Sequence, residues 1–383
     1  MKRSESHNVV DVGVVGGGPA GAAVALALRR LGYSTAVIER SDYRDVRIGE
    51  TLPPAVKPLL SRLGVWDQFV SQEHSPAFGI RSAWGGDRPY EHDFIFNAYG
   101  SGWHVERARF DSMLVQCAEH AGVTVYRQSL LTACKTSHDG NWEIEITRRD
   151  TPLRLLTKFL IDATGRASAF ACGRGCKRII VDSLIGIIGF FNPGSVRVAP
   201  DSFTLIEAVE TGWWYSASLP DARLVVAFMT DADIYAGARR HSRDYWQQQF
   251  HATQHTRSRV KHNSEIPNLI VVPANSSRLE HDGKGKWLAI GDAAMAFDPL
   301  AGQGVYQALH SASRAAEAID QHLHGDNRAL PDYSVATEQD FERYLLARRM
   351  FYCREQRWPN STFWKRRVSD QVSAKQVLST ANA

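Results

Sequence analysis

Apolar residues along this chain recur with two periods, and each change of period marks an element. Val12–Val15 form a short apolar run, a glycine-rich stretch follows, and Ala22–Leu31 then spaces its apolar residues as a helix does. Ala36–Ile38 runs apolar again. Strand, turn, helix and strand in this order are the repeating unit of a parallel α/β sheet. Far along the chain, Trp287–Ile290 is another short apolar strand, and a helical pattern runs from Val305 to about His322. The residues between read differently. Ile179–Val181, Leu184–Phe191, Ser202–Ile206, Trp213–Leu219 and Leu224–Met229 are short, β-rich and separated by turn residues, which predicts an antiparallel sheet. A helical tail is expected from Tyr333 onward.

These segments place the chain in the α/β class. A discontinuous first domain is expected at residues 1–75, 100–170 and 278–330, an interleaved β-rich domain at 76–99 and 171–277, and a helical segment at 331–383. A length of 383 residues suits two intimately joined domains. No apolar run approaches the roughly twenty residues that a membrane span needs. The N-terminal Met1 to His7 lacks the apolar stretch of a secretory signal. Cys172 and Cys176 are spaced for a redox pair or part of a metal site, but no second pair accompanies them, so reduced thiols and no metal are expected. These features predict a cytoplasmic protein.

Net charge is only +4, yet eight Lys/Arg stand against three acids between Asp340 and Arg367. That stretch reads equally as a docking face for an acidic peptide or as a solvated helix face over apolar packing. No recognition motif accompanies the charge, so no nucleic-acid partner is expected.

The first turn carries the chemistry. Gly16-Gly17-Gly18-Pro19-Ala20-Gly21 joins strand to helix, and the second strand ends on Glu39, with Arg40 beside it. Gly16 suits a tight turn, Gly18 lets backbone N–H groups approach a pyrophosphate, and Gly21 lets the helix pack closely. Glu39 falls where a carboxylate would hold ribose hydroxyls, which favours FAD or NAD over NADP. The far strand ends in Gly291-Asp292 and leads to Asp298-Pro299-Leu-Ala-Gly302-Gln303-Gly304 before a helix. A carboxylate so placed can meet a ribityl or pyrophosphate hydroxyl. A glycine pair opening a helix offers donors to an anionic ring edge.

This block, at this distance from the first glycines, resembles the FAD-binding segment of the aromatic-hydroxylase and flavin-halogenase superfamily. Three further motifs agree with the resemblance: Arg47-Ile-Gly49-Glu50-Thr51-Leu-Pro-Pro54, the arginine helix around Arg107, and Leu160-Ile-Asp162-Ala-Thr-Gly165-Arg166. The resemblance implies a Rossmann-like FAD domain, with FAD held by the residues named and Gly302–Gly304 beside the isoalloxazine. It also implies group A monooxygenase chemistry. NADH or NADPH reduces the flavin transiently, O2 gives a C4a-hydroperoxide, and the protein shields the reacting centre from water.

Flavin halogenases share much of this pattern, but they carry a Trp-x-Trp-x-Ile-Pro segment and a relay lysine. The matching stretch here is Tyr215-Ser-Ala217-Ser-Leu219-Pro220, and no lysine occurs between Lys57 and Lys135. The loop at Glu50, Arg81–Gly85, Gly212–Pro220 and Glu355–Trp364 together look like the flavoproteins that modify tryptophan in tryptophylquinone and peptide natural-product biogenesis. The substrate so implied is an aromatic group, tryptophan favoured, on a peptide or protein. Trp84, Trp103, Trp213 and Trp214 are candidates to stack on an indole, and adjacent Trp213 and Trp214 must point to opposite faces. His104 is a candidate acid or base and Trp214 a candidate at the reacting centre. An isoprenoid-type reductase and a flavin-holding assembly factor are the other readings.

Overall fold

The computed structural model describes residues 8–149, 151–197, 201–237, 242–281 and 283–369. Its first sheet has seven strands in the order Thr124–Arg127, Thr35–Glu39, Asn8–Val15, Thr151–Asp162, Trp142–Arg148, Ser129–Thr136, with Trp287–Ala289 also pairing to Thr151–Asp162. The first four and Trp287–Ala289 pair in parallel, while the Ser129–Arg148 hairpin adds antiparallel strands. Alternate residues serve opposite faces, as the strand period requires. Val12, Val14, Val37, Phe159, Ile161 and Leu288 pack against the helices Pro19–Arg30, Arg107–His120 and Gly304–Leu323. Val15, Ile38, Leu160 and Trp287 pack on the other side with Phe170 and Trp142.

A second seven-stranded sheet runs Ile270–Pro273, Leu184–Phe191, Leu224–Asp231, Gly212–Ser218, Phe203–Val209, Gly79–Ala83, Tyr90–Asp93. All its pairings are antiparallel except one: Phe203–Val209 and Gly79–Ala83 lie parallel, because the latter strand enters from a distant part of the chain. The expected purely antiparallel sheet is corrected to that extent. Arg178–Ile180, read from sequence as part of this sheet, instead pairs with Ser277–Leu279 in a separate three-stranded unit, where Ile179 and Ile180 are exposed. One face of the large sheet (Trp213, Ala217, Met229) meets Trp84, Tyr352, Phe363 and Trp364; the other (Trp214, Phe228, Val226) meets Trp246 and Phe250.

The expected continuous tail is two helices, Ala329–Tyr352 and Thr362–Ser369, and the break between them contains Pro359. Residues 370–383 of the expected tail lie outside the described residues. Among the described residues no helix is long and apolar enough to cross a membrane.

Beside the first strand, Asp11 accepts hydrogen bonds from Ser34 N–H and hydroxyl at 2.9 and 2.6 Å and pairs with Lys158 at 2.8 Å. Burial pushes its carboxyl up, but Lys158 and Ser34 outweigh that and bring it down to about 2 from 3.8. A depressed carboxylate stabilises the fold above about pH 4 and loses that stabilisation as pH falls toward about 2. Asp11→Asn is therefore expected to cost about 1–2 kcal/mol at neutral pH, once the exposure of Lys158 is allowed for. Urea melts across pH 4 to 2 test this: the native midpoint should fall more steeply than that of the variant.

Candidate functional site: a glycine turn, an arginine network and a clamped loop

The strand Asn8–Val15 ends at Gly16, whose φ of 103° lies in the left-handed region. A Cβ there would stand 2.2 Å from the Ala163 carbonyl oxygen, and one on Gly21 would stand 1.9 Å from the Gly16 carbonyl oxygen. Both glycines let backbone touch backbone. Gly17 is equally confined, since its Cβ would meet the Tyr43 hydroxyl at 2.2 Å, a constraint the sequence reading missed. Gly18 borders open space and caps the helix Pro19–Arg30 without any side-chain partner; Ala20 is buried behind it.

Glu39 turns back onto this loop. Its carboxylate accepts the Gly17 N–H at 2.6 Å and the Ser41 N–H and hydroxyl at 2.9 and 2.6 Å. Arg47 reaches Glu39 at 3.5 Å and Asp111 at 3.0 Å, so the loop after the second strand is tied to the turn by charge. Arg107 closes the network from the next helix: Nε and a second guanidinium nitrogen each reach Asp111 at 3.1 Å, and a third donates to the Ile48 carbonyl. Asp111 was not singled out in sequence, although its i,i+4 spacing from Arg107 was a readable signal. Arg40 and Gly49 are exposed at the edge of the same region. Asp162 is wholly buried, and its carboxylate accepts from Thr164 N–H and hydroxyl at 3.0 and 2.7 Å and from Ala171 N–H at 2.9 Å, so it shapes the turn containing Gly165.

On the far side, Asp292 is partly exposed and lies 3.6 Å from Arg166. Pro299, Gly302, Gln303 and Gly304 are at least partly open to solvent, and Cβ positions on Gly302 and Gly304 would meet nothing within 4 Å. Asp298, just before this loop, is fixed instead. It caps Leu300 N–H at 2.9 Å and accepts from Arg348 Nε at 3.1 Å and the Tyr352 hydroxyl at 2.7 Å; its own N–H donates to Tyr344 at 2.7 Å. Arg348 also pairs with partly buried Asp182 at 3.0 Å, and Trp213 donates to the Tyr352 hydroxyl at 3.0 Å. Burial and then the Asp298 charge hold the Tyr352 phenol far above its ordinary range. The helix Ala329–Tyr352 thus clamps the loop Pro299–Gly304.

Where the loop from Arg47, the first sheet and the large sheet meet, polar groups line up in the interior. Thr51 and His104 are register partners in a small sheet with Ser75–Ala77. The Tyr215 hydroxyl bonds to Thr51 at 2.8 Å, Thr51 to Thr204 at 3.1 Å, and Thr204 to His104 Nε2 at 3.0 Å. Glu50 lies beside this file with both carboxyl oxygens buried and without a hydrogen-bond partner of regular geometry.

The tryptophans do not line this region as substrate contacts. Trp214 is fully buried, stacked on Phe228 with ring centroids 4.7 Å apart and edge-on to Trp246, which corrects its candidacy at the reacting centre: its face of the strand is the one that packs a helix. Trp213 and Trp84 sit in the opposite core, and Trp103 packs edge-on to Trp66 and Phe69. Five cations of the basic stretch are ion-paired: Arg343, Arg348, Arg357, Arg366 and Arg367 pair with Asp340, Asp182 and Asp298, Glu355 and Asp87, Asp233, and Asp231 respectively, and of these Arg348 and Arg367 are buried side chains.

Two uncapped helix N-termini, at Gly18 and Gln303, carry no acid in their first turns, and open glycines flank both. Glu39, Arg47 and these backbone donors match the polar outline of a dinucleotide with a charged pyrophosphate and ribose hydroxyls. FAD would be held by Gly16–Gly21, Glu39, Arg47, Asp292 and Gly302–Gly304. Comparison with known proteins points to the same cofactor. Residues 9–342 match the family model described as FAD binding domain. LodB of Marinomonas mediterranea, described as an FAD-dependent oxidoreductase, is 30% identical over 95% of this chain and 97% of its own. The flavin-dependent halogenase CmlS superposes with a TM-score of 0.85 at 24% identity, covering 97% of this chain and 70% of that one. The peptidyl tryptophan dihydroxylase QhpG, essential for tryptophylquinone cofactor biogenesis, superposes with a TM-score of 0.76 at 26% identity, covering 94% and 78%.

Proposed function

This chain belongs to the FAD binding domain family and is an FAD-dependent oxidoreductase, and from that premise we propose that it is a monooxygenase hydroxylating an aromatic group, tryptophan favoured, carried on a peptide or protein. NADH or NADPH is the reductant and O2 the co-substrate. When bound, FAD supplies the two-electron chemistry and the activation of oxygen. The polypeptide supplies position and dryness. Backbone N–H groups at the two helix ends and Arg47 take the cofactor's anionic groups, and Glu39 takes hydroxyls. The clamped Asp298 fixes the loop that presents Gly302–Gly304. The large sheet would cover the substrate side and exclude water.

The observation that carries this choice over halogenation is Tyr215. It and Ala217 occupy the strand positions where the halogenase pattern has tryptophans, and the Tyr215 hydroxyl is committed to Thr51 at 2.8 Å. The stretch between Lys57 and Lys135 also offers no relay lysine. The likeness to QhpG supports a peptide-borne substrate. The halogenase reading is kept by the likeness to CmlS.

One experiment separates them. The FAD-loaded protein is incubated with tryptophan-containing peptides, NADH or NADPH, oxygen-18 gas and either chloride or bromide, and products are weighed by mass spectrometry. The expected product carries labelled oxygen and no halogen, and free tryptophan is a poorer substrate than the peptide. Halogenated peptide would transfer the assignment to the halogenases. Reduction of an isoprenoid without oxygen uptake would transfer it to the reductases.

A further inference from the structure

The helix Ala329–Tyr352 spends one face on the core, where Phe341, Tyr344 and Leu345 pack with Met295 and Phe297. Its outer face is not polar, as a solvated helix face ordinarily is. Val335, Leu346 and Met350 are 54, 60 and 69% exposed, and exposed Ala347 adjoins the last two. On a helix of 3.6 residues per turn these three large residues fall within about 60° of one another, so they form a stripe. The stripe runs toward the cofactor loop. Met350 is followed by half-buried Phe351, whose ring lies 5.1 Å from that of Trp84. Phe351 and Leu300, of the loop Pro299–Gly304, pack on the same core cluster.

The charge beside the stripe has one sign at this end. No acid occurs between Arg343 and Arg354, and the nearest acid before them, Glu342, stands a turn ahead of Leu346. Glu355, just beyond, is buried and spent on Arg357 at 2.6 Å and the Gly85 N–H at 2.8 Å. Arg349 and Arg354 flank Met350 and form no ion pair among the described residues; Arg354 lies over the Phe351 ring instead, 5.4 Å from its centroid. Exposed apolar groups rimmed by unspent guanidiniums fit a partner that offers apolar side chains and carboxylates together.

Resting on the monooxygenase reading, we propose that Leu346, Ala347 and Met350, flanked by Arg349 and Arg354, form the docking site for an acidic segment of the peptide or protein that carries the aromatic target. The segment's apolar side chains cover Leu346 and Met350, and the flexible thioether adapts to their shape. Its carboxylates pair with the two guanidiniums. A partner held here keeps its aromatic target at high effective concentration beside the loop Pro299–Gly304. Free tryptophan, which lacks the segment, gains nothing from the stripe.

Fluorescence anisotropy on the FAD-loaded protein tests this with a labelled synthetic peptide in which a single tryptophan is flanked by leucine and glutamate. Its counterpart carries lysine in place of every glutamate. The glutamate peptide should bind about 10-fold more tightly at low salt, and the difference should shrink as salt rises. Arg349→Glu with Arg354→Glu should invert the preference. Leu346→Gln with Met350→Gln keeps good helix formers at exposed positions, and should weaken the glutamate peptide about 10-fold while flavin content and denaturant midpoint stay native. Absent or equal binding of the two peptides, or binding untouched by both double variants, overturns the proposal. So does sedimentation as a dimer that Leu346→Gln with Met350→Gln converts to a monomer, because the stripe then belongs to a second copy. Peptide hydroxylation with the same KM in the native protein and both double variants removes the docking site and leaves the monooxygenase. Docking as expected without hydroxylation leaves the site and removes the monooxygenase reading instead.

Discussion

Gly16→Ala is expected to yield a protein that purifies without flavin and has lost about 2–5 kcal/mol of stability. The left-handed φ of 103° alone costs an L-residue about 1–2 kcal/mol. The new Cβ would stand 2.2 Å from the Ala163 oxygen and 2.6 Å from its carbonyl carbon, and backbone cannot swing aside as a side chain can. Relieving that overlap adds about 1–3 kcal/mol. The displacement also spreads, because Gly16 N–H donates to Ile38 at 2.8 Å and Ala163 N–H donates to Val15 at 2.8 Å, so two strand ends part together. Gly18→Ala is the control. Its φ of −69° is ordinary and its Cβ would approach nothing closer than Arg47 at 4.0 Å, so the fold should survive while flavin binding weakens. Flavin absorbance per protein and a denaturant midpoint, measured for both variants, decide the matter. A Gly16→Ala protein with full flavin and a native midpoint would falsify this account of the turn.

Arg348→Met should be comparably severe, for an electrostatic reason. The Arg348 side chain is 7% exposed and is the shared cation of Asp298 and Asp182, whose side chains are 0% and 12% exposed. Removing it leaves two carboxylates in the interior, for which about 3–5 kcal/mol is the expected loss. The effect should reach the cofactor, because Asp298 also caps Leu300 and so sets the start of the open glycine loop. A second substitution makes the cause visible. Asp298→Asn in the Arg348→Met background removes one stranded charge, and should recover part of the loss in a double-mutant cycle. An Arg348→Met protein within about 1 kcal/mol of native would show that this pair contributes little.

What could be read in the sequence, and what could not, follows the range over which each interaction acts. The strand–turn–helix at Gly16–Gly21 was legible because its constraints are local: a turn, a close approach and a helix start fall within a few residues. The arginine helix was found, but the bonds of Arg107 to Asp111 and to the Ile48 carbonyl were not, since the second of these partners lies far away in the chain. Asp298 with Arg348, fifty residues apart, and Tyr215 with Thr51, 164 apart, were beyond any periodic signal. Trp214 misled because an exposed-looking aromatic pair on a strand reads the same whether it faces a substrate or a helix such as Ser242–Ala252. The parallel pairing of Gly79–Ala83 with Phe203–Val209 escaped because strand direction leaves no mark on residue alternation.

The clamp on Asp298 also has a consequence in time. A chain growing on the ribosome exports the glycine turn, Glu39 and the loop Pro299–Gly304 before it exports the helix Ala329–Tyr352. Asp298 and Tyr352 are 54 residues apart, and at ordinary rates of synthesis the loop waits roughly 3–10 seconds for its partner. During that interval the buried acid has no cation, and the loop cannot hold its final shape. Flavin capture is therefore expected to follow the closing of the helix Ala329–Tyr352 on this loop.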